Sequence, residues 1–406
     1  MAALLVVTAM VAAALWFAGW PSVKRDAIVT PATLFDLLKL VFAVVAGIGG
    51  VAALVVAYRR QRVAEHTNAL AEFAHQLAHA ADLRAEMTNA LAEAADERAK
   101  VESDRNGIRL FNERFAKGSE QLGSEKAAVR LAGVYAMAGL GDDWRDGRQT
   151  CIDVLCAYLR MPYTPPESAD SEEAARIARE EREVRHTVIR LIGGHLRVAD
   201  AGGISWSGHD FDFTGAVFDG GSFADARFSG GHARFDGAKF CGLVHFNNAE
   251  FSSGEVSFQR AEFASGVALF NGIKLMGGLV NFALSKFSGG SVWFSNSSFC
   301  SGTMSFRRAK FTGGKVSFSG VKLSGADINF AMSEIPGGAI YFDRAQLFDG
   351  GVYFDGASFA GGEVSFDSTE FSGGDLSFIN ANILVPPRLS RGQDGQFPPG
   401  VHWPEA

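Results

Sequence analysis

The sequence predicts a β-solenoid behind an α-helical, membrane-inserted N-terminal half. Three observations predict it. From Phe246 onward, large apolar residues recur in alternate steps of five and seven, a cadence of neither a helix nor an amphipathic strand. The chain holds 47 Gly and 34 Phe but only 11 Pro, and such a bias in fixed register marks a repeat architecture. Ahead of the repeat lie two uncharged runs and a long stretch without Gly or Pro.

The chain has 406 residues and a formal charge of -7. That length allows two or three structural units. The mild acidity gives no electrostatic basis for nucleic-acid binding. Cys151, Cys156, Cys241 and Cys300 form neither a CxxC pair nor a zinc spacing, and read as reduced thiols of a cytosolic compartment.

Residues 1–60 read as two transmembrane helices. The uncharged runs 2–20 and 40–58 are each about 19 residues, or about 28 Å as a helix, which matches a bilayer core. The first lacks the basic flank of a signal peptide, and a second span follows it. Trp16, Trp20 and Tyr58 sit where interfacial aromatics belong. Asp36 and Lys39, one turn apart, can pair at the start of the second span. Arg59, Arg60 and Arg62 follow it directly, against Lys24, Arg25 and Lys39 in the loop between spans. The tighter cluster places both termini, and the C-terminal domain, in the cytoplasm of a multi-pass membrane protein. "GIGG" at 47–50 would let the spans approach closely.

Residues 61–106 read as a helical stalk. Val63, Leu70, Leu77 and Leu91 share one heptad position, and Phe73, Ala80, Met87, Ala94 and Val101 another. His66, Arg84 and Arg98 interrupt the seam, so the stalk is a weak coiled coil between chains or a helix on a neighbour. About 45 residues could reach roughly 65 Å from the membrane. His75 and His79 are one turn apart, but Gln76 replaces the Glu of a zinc-protease helix and no third ligand follows.

Residues 107–161 form a small helical module. Ser124 is placed to cap a helix from about Glu125, "GLGDDWRDG" to connect it to the next, and Cys151 and Cys156 to pack as small apolar groups. Residues 162–170 read as a linker. The region 171–199 reads as a capping helix that stops at Gly193-Gly194 and covers the first coil.

The repeat occupies 200–385. Phe213, Phe218, Phe223 and Phe228 step by five; from Phe246 onward the unit is twelve, F-x-x-A-x-F-x-G-G-x-V-x, as in "FRRAKFTGGKVS" from Phe306. Central residues run from Phe246 through Phe258 and Phe270 to Phe378 without a slip. The unit resembles the pentapeptide-repeat family, whose A-[DN]-[LF]-x-x motif builds right-handed, four-sided β-helices. The resemblance implies that Ala309 with Phe311, and Val316 with Phe318, point inward. The Gly-Gly pair departs from that pattern and adds two residues to every second face, giving about 24 residues per coil. Glycine suits an inserted corner. The resemblance covers about 180 residues, Trp206 to Leu384, and its upstream half looks like a group of membrane-anchored bacterial pentapeptide-repeat proteins. A flattened coil of 12 residues is the alternative; it would crowd two Phe rings into each coil. About seven and a half coils of 24 make a rod roughly 36 Å long. In such coils Glu262, Lys286, Lys310 and Glu334 form one column, and Glu250, Lys274 and Lys322 another. Residues 386–406, rich in Pro and Gly, read as a flexible tail in which Pro386-Pro387 stops strand pairing.

No phosphate loop, nucleophile elbow or metal column emerges, and the sequence implies neither enzyme nor cofactor. His209, His232 and His245, with Asp210, Asp212 and Asp236, lie in the first coils and read as irregular polar surface. Charge is segregated: Lys274, Lys286, Arg307, Arg308, Lys310, Lys315 and Lys322 form a basic belt, followed by an acidic end from Asp327 to Asp375. Partner docking through the belt, or head-to-tail association, follows from that contrast. The expected function is a membrane-anchored, non-enzymatic scaffold with a protein partner. The alternative is DNA mimicry toward a topoisomerase, as in some members of the family. The basic belt and the spans count against it.

Overall fold

A computed structural model describes residues 2–20, 30–197, 203–390 and 396–404. Lys24, Arg25 and Asp26, used for the orientation, and the expected boundary near residue 200 lie outside the described residues. The chain divides into two compact units, Met1–Asp104 and Arg105–Ala406.

The first unit is helical. Helix α1 (Ala2–Phe17) has 16 residues, so it spans about 24 Å rather than the 28 Å expected. It is followed by Gly19 in the left-handed region. Helix α2 (Pro31–Leu122) is, among the described residues, the one helix long and apolar enough to cross a membrane. It takes in the second apolar run and the stalk without a break. Lys39 Nζ and Asp36 Oδ1 lie 3.4 Å apart, the pair expected there. Among the described residues, nothing lies within 4 Å of where a Cβ on Gly47, Gly49 or Gly50 would sit. Val63, Leu70, Phe73, Leu77, Met87 and Leu91 are all exposed.

The second unit begins with the end of α2, whose Leu122 joins the core. Helices α3 (Ala127–Asp143), α4 (Arg148–Arg160) and α5 (Glu172–Arg197) follow. Three expectations are corrected here. Ser124 does not cap α3: the N-cap is Lys126, whose own N–H donates to Ser124 Oγ at 3.3 Å. Most of "GLGDDWRDG" is helical, because Leu140 and Gly141 are buried, and only residues 144–147 turn the chain. Helix α5 does not stop at Gly193-Gly194. A Cβ on Gly193 would come within 2.4 Å of the Ser222 carbonyl oxygen, so this glycine lets the helix lie against the first coil. Cys151 and Cys156 are buried packers, as expected.

From Phe211 onward the chain is a β-solenoid of about eight turns, its parallel strands forming two sheets. Register gives the coil length. Phe287 pairs with Phe311, Val292 with Val316 and Lys274 with Ser298, each 24 residues apart. A 12-residue coil is thereby excluded. The first coils are shorter: Phe218 pairs with Phe240, and Phe228 with Phe251.

The interior is filled with phenylalanine. Phe282, Phe306 and Phe330 stack at 4.8 and 4.7 Å, and Phe294, Phe318 and Phe342 at 4.8 and 4.7 Å. The two columns meet edge to face: Phe306 and Phe318 lie 5.8 Å apart at 89°. Ala309, Phe311, Val316 and Phe318 are all buried, as the inward assignment requires.

Each coil turns at two kinds of corner. In Gly-Gly corners the coils nearly touch: a Cβ on Gly314 would come within 2.1 Å of the Gly290 carbonyl oxygen. In F-x-x-A corners the third residue is left-handed, as at Asn296 (φ 57°) and Arg308 (φ 57°). Its N–H donates to the next coil, Asn296 to the Ser319 carbonyl and Arg308 to the Ala331 carbonyl, both at 3.0 Å. The sequence marks the Gly-Gly corners but not these, because a left-handed Arg carries no sequence signature.

The C-terminal segment also departs from expectation. Arg388 accepts from Phe366 N–H and donates to the Val364 carbonyl, each at 2.8 Å, and Val401–His402 pairs with Leu376 and Ser377. Trp403 packs 5.1 Å from Phe378 and stacks on Phe397 at 4.8 Å. Trp403, backed by Phe397, covers part of the last coil, so the segment is held despite the Pro and Gly content that suggested a loose tail.

Phe318→Ala should lower unfolding free energy by about 3 to 5 kcal/mol, as truncation of a filled core does. Phe348, at 46% exposure, is a control whose replacement by Ala should cost within about 0.5 kcal/mol. Denaturant melts of the two variants check both; equal midpoints would overturn the inward column.

Candidate interaction surface

The solenoid fixes where each cation of the belt stands. Lys286 lies between Glu262 and Lys310, and Lys310 faces Glu334, forming the expected column. Its last pair closes at 2.9 Å. Lys274 pairs with Glu250 at 2.8 Å, and Lys322 follows two coils on, between Ser298 and Gln346. Lys315 sits on its own strand, Lys315–Ser317. Arg307 and Arg308 form the corner between strands Ser298–Ser305 and Lys310–Phe311. The belt is therefore not one patch. Lys286, Arg307, Arg308 and Lys310 cluster around one corner. Lys274 and Lys322 lie in the other sheet, and Lys315 beyond the next Gly-Gly corner.

Much of the acidic end is structural. Asp343 Oδ1 accepts from Asp367 N–H at 3.2 Å and from the Ser365 hydroxyl at 2.5 Å. Asp355 repeats this with Ile379 and Ser377, at 3.2 and 2.5 Å. These carboxylates stitch one coil to the next. Glu363 takes Arg388 and the Tyr341 hydroxyl, both at 3.1 Å. The folded-back segment occupies part of this end, where the sequence reading had allowed head-to-tail association.

The His/Asp group of the first coils does not converge. His232 and Asp210 pair at 3.2 Å, Asp212 takes Arg160 at 2.6 Å, and Asp236 accepts from Gln259 N–H at 3.1 Å. His209 turns to the Trp206 carbonyl.

The polar centre that sequence reasoning missed is Asp219. It follows the buried Phe218 and lies beneath α5. Tyr163 Oη donates to its Oδ2 at 2.6 Å and Arg182 Nε at 2.8 Å, while His186 Nε2 lies 3.0 Å from Oδ1. Only 5% of its side chain is exposed. Burial alone would raise its pKa, but the bonds from His186, Tyr163 and Arg182 outweigh this and hold it below the usual carboxylate range. Residues 162–170 are thus more than a linker, since Tyr163 and Glu167 both serve this cluster. Beside it, buried Arg185 donates to the Tyr158 and Leu159 carbonyls and lies 4.5 Å from the Tyr163 ring. A second anchor is Asp142, which accepts from Trp206 Nε1 at 2.9 Å and contacts His195 Nε2 at 3.0 Å. His195 stacks on Trp206 at 4.0 Å. The only hint in the sequence was the acid ahead of Gly220-Gly221. These contacts bind the helices to the first coil, and no nucleophile with its base stands among them.

Comparison with protein-family models, with curated proteins and with solved structures finds no match for the chain.

Asp219→Ala should cost about 3 kcal/mol at neutral pH, because it takes the acceptor from Tyr163 and His186 and leaves Arg182 with Glu167 alone. The sign of the pH effect follows from the lowered pKa. The contribution is full above the ordinary carboxylate value, about 3.9, and is lost as pH falls through the folded-state value. Thermal melts of wild type and variant should therefore converge in acid; a constant gap at all pH values would contradict the assignment.

Proposed function

We propose that the protein is a membrane-anchored, non-enzymatic scaffold that presents its solenoid to a protein partner in the cytoplasm. In this reading it is a pentapeptide-repeat protein whose coil is right-handed and four-sided, with a seven-residue step at each Gly-Gly corner. The observation that carries the reading is the filled interior. Phenylalanine columns occupy the inside of the coils, so what the domain offers a partner is an outer surface of side chains in fixed register. The apolar run within α2 supports anchoring, and Arg59, Arg60 and Arg62 just after it support a cytoplasmic solenoid. α1 is the second span in this reading. DNA mimicry stays the weaker alternative, since cations gather at one corner of the coils.

Capture of proteins from native membranes through a C-terminal tag tests the scaffold. A saturable partner that depends on the solenoid supports it; no enrichment over a tag-only control sinks it. Topology has its own test. Cys300 is exposed, whereas Cys151 and Cys156 are buried and Cys241 half-buried. Burial pushes the Cys151 thiol up to about 11 and the Cys156 thiol higher, so both are poor nucleophiles. A membrane-impermeant maleimide should label Cys300 in inside-out vesicles and not in intact cells. Labelling from outside would reverse the orientation.

A further inference from the structure

The two F-x-x-A corners of the coil obey different rules. Along one, the left-handed position is held by Asp225, Asn248, Gly272, Asn296 and Gly320, and further on by Arg344 and Ser368. The first five are residues that tolerate the conformation, and Asn296 Oδ1 lies only 2.7 Å from where a Gly320 Cβ would be. Along the other, four successive coils hold it with Arg260, Leu284, Arg308 and Met332, with φ between 57° and 63°, between Gly215 and Gly237 before them and Gly356 and Asn380 after. Nothing in the backbone asks for long side chains there, and the hydrogen bond to the next coil is the same: Leu284 N–H donates to the Arg307 carbonyl at 3.0 Å. Local preference is broken four times running, always in favour of a side chain that reaches outward. Leu284 and Met332 are 37% and 48% exposed. Among the described residues, Arg260, Lys286, Arg307 and Arg308 make no ion pair.

We infer that the Arg260, Leu284, Arg308, Met332 corner is a docking ridge for an acidic amphipathic helix of a partner protein. The inference rests on the scaffold reading and names its surface. Coils repeat at about 4.8 Å, close to the 5.4 Å pitch of an α-helix. A helix laid along the ridge therefore brings one residue to each coil. The order cation, aliphatic, cation, aliphatic calls for carboxylate and apolar side chains at alternate turns. Arg307 and Lys286 widen the positive field on either side. The footprint is short, about 14 Å from Arg260 to Met332. Acids bound it: Glu262 and Glu334 flank its ends on the adjoining column, and Asp355 follows in the next coil. A short segment fits between these acids, whereas a continuous anionic surface such as a lipid bilayer would be repelled at both ends.

The test uses full-length protein in neutral-lipid nanodiscs and a labelled helical peptide of about fourteen residues, with Glu and Leu at alternate turns. A scrambled peptide and phosphatidylglycerol vesicles are the comparisons. One variant carries Leu284→Asn and Met332→Asn; another carries Arg307→Ser and Arg308→Asn, copying Ser295-Asn296 of the opposite corner. The ordered peptide should bind at least about tenfold more tightly than the scrambled one, and each variant should lose at least about tenfold in affinity. The Leu284/Met332 variant should also melt higher than wild type, because Asn accepts the left-handed conformation more readily. Weakened binding with raised stability is an outcome that a structural role does not give. Equal binding of both peptides, unchanged affinity in the variants, a lowered melting temperature, or binding to the vesicles alone would overturn the ridge. If wild type and both variants capture one native partner equally, the ridge falls and the scaffold stands. If wild type captures none, the scaffold reading falls and takes the ridge with it.

Discussion

The edge-to-face contact between successive central phenylalanines governs the fold. Phe306 cannot stack on Phe318, twelve residues away, because the two rings stand at 89°. It stacks on Phe330 instead, at 4.7 Å and 8°. The coil must then close after two sequence units, not one. Everything else in the repeat adapts to that closure. Strands pair residues 24 apart, Ala or Ser fills the narrow inward place beside most turns, and glycine carries the extra length around the remaining corners. Where the sequence supplies fewer residues, as between Phe218 and Phe240, the coil shortens but the rings still stack, at 5.2 Å and 9°. Ring packing is kept while the backbone length varies.

That hierarchy explains what could be read from the sequence. The inward residues were legible, because a large apolar residue with no alternative to burial recurs at fixed intervals. The charge column from Glu262 to Glu334 was legible for the same reason, once the coil length was set. Features depending on a single distant contact were not legible. Gly193-Gly194 looks like a helix end, and nothing nearby says that the Ser222 carbonyl lies against it. Pro386-Pro387 does interrupt the regular strands. The sequence did not show that Trp403, beyond it, has Phe378 to cover. For the candidate surface, the seven cations were found but not their division among two sheets and a corner. Net charge by segment ignores which way a corner turns.

The ends of the solenoid meet the same need with different chemistry. A stack of strands leaves an open apolar coil and unpaired backbone groups at each end. At the first coil the cover is polar as well as apolar, with Asp219 and Asp142 each holding residues from the helices. At the last coil the cover is a strand and two aromatic rings. A buried carboxylate is poor at adding net stability but strict about geometry, since any misplacement strands its charge. That strictness suits the N-terminal end, where a long helix must meet the coil at one angle.

The corners separate what the fold requires from what it permits. A left-handed Leu or Met costs about 1 to 2 kcal/mol relative to a residue that accepts the conformation. The coil itself cannot account for that cost, because in the same coils the opposite corner makes the same backbone bonds with Asn248, Gly272, Asn296 and Gly320. The Gly-Gly corners give the complementary case: there a side chain is forbidden by the coil next door, and sequence freedom is lost. A repeat protein thus writes its constraints and its choices at regular intervals. Places where one column departs from its symmetry-related partner, at a cost the fold does not demand, are where surface function can be sought without any relative to compare.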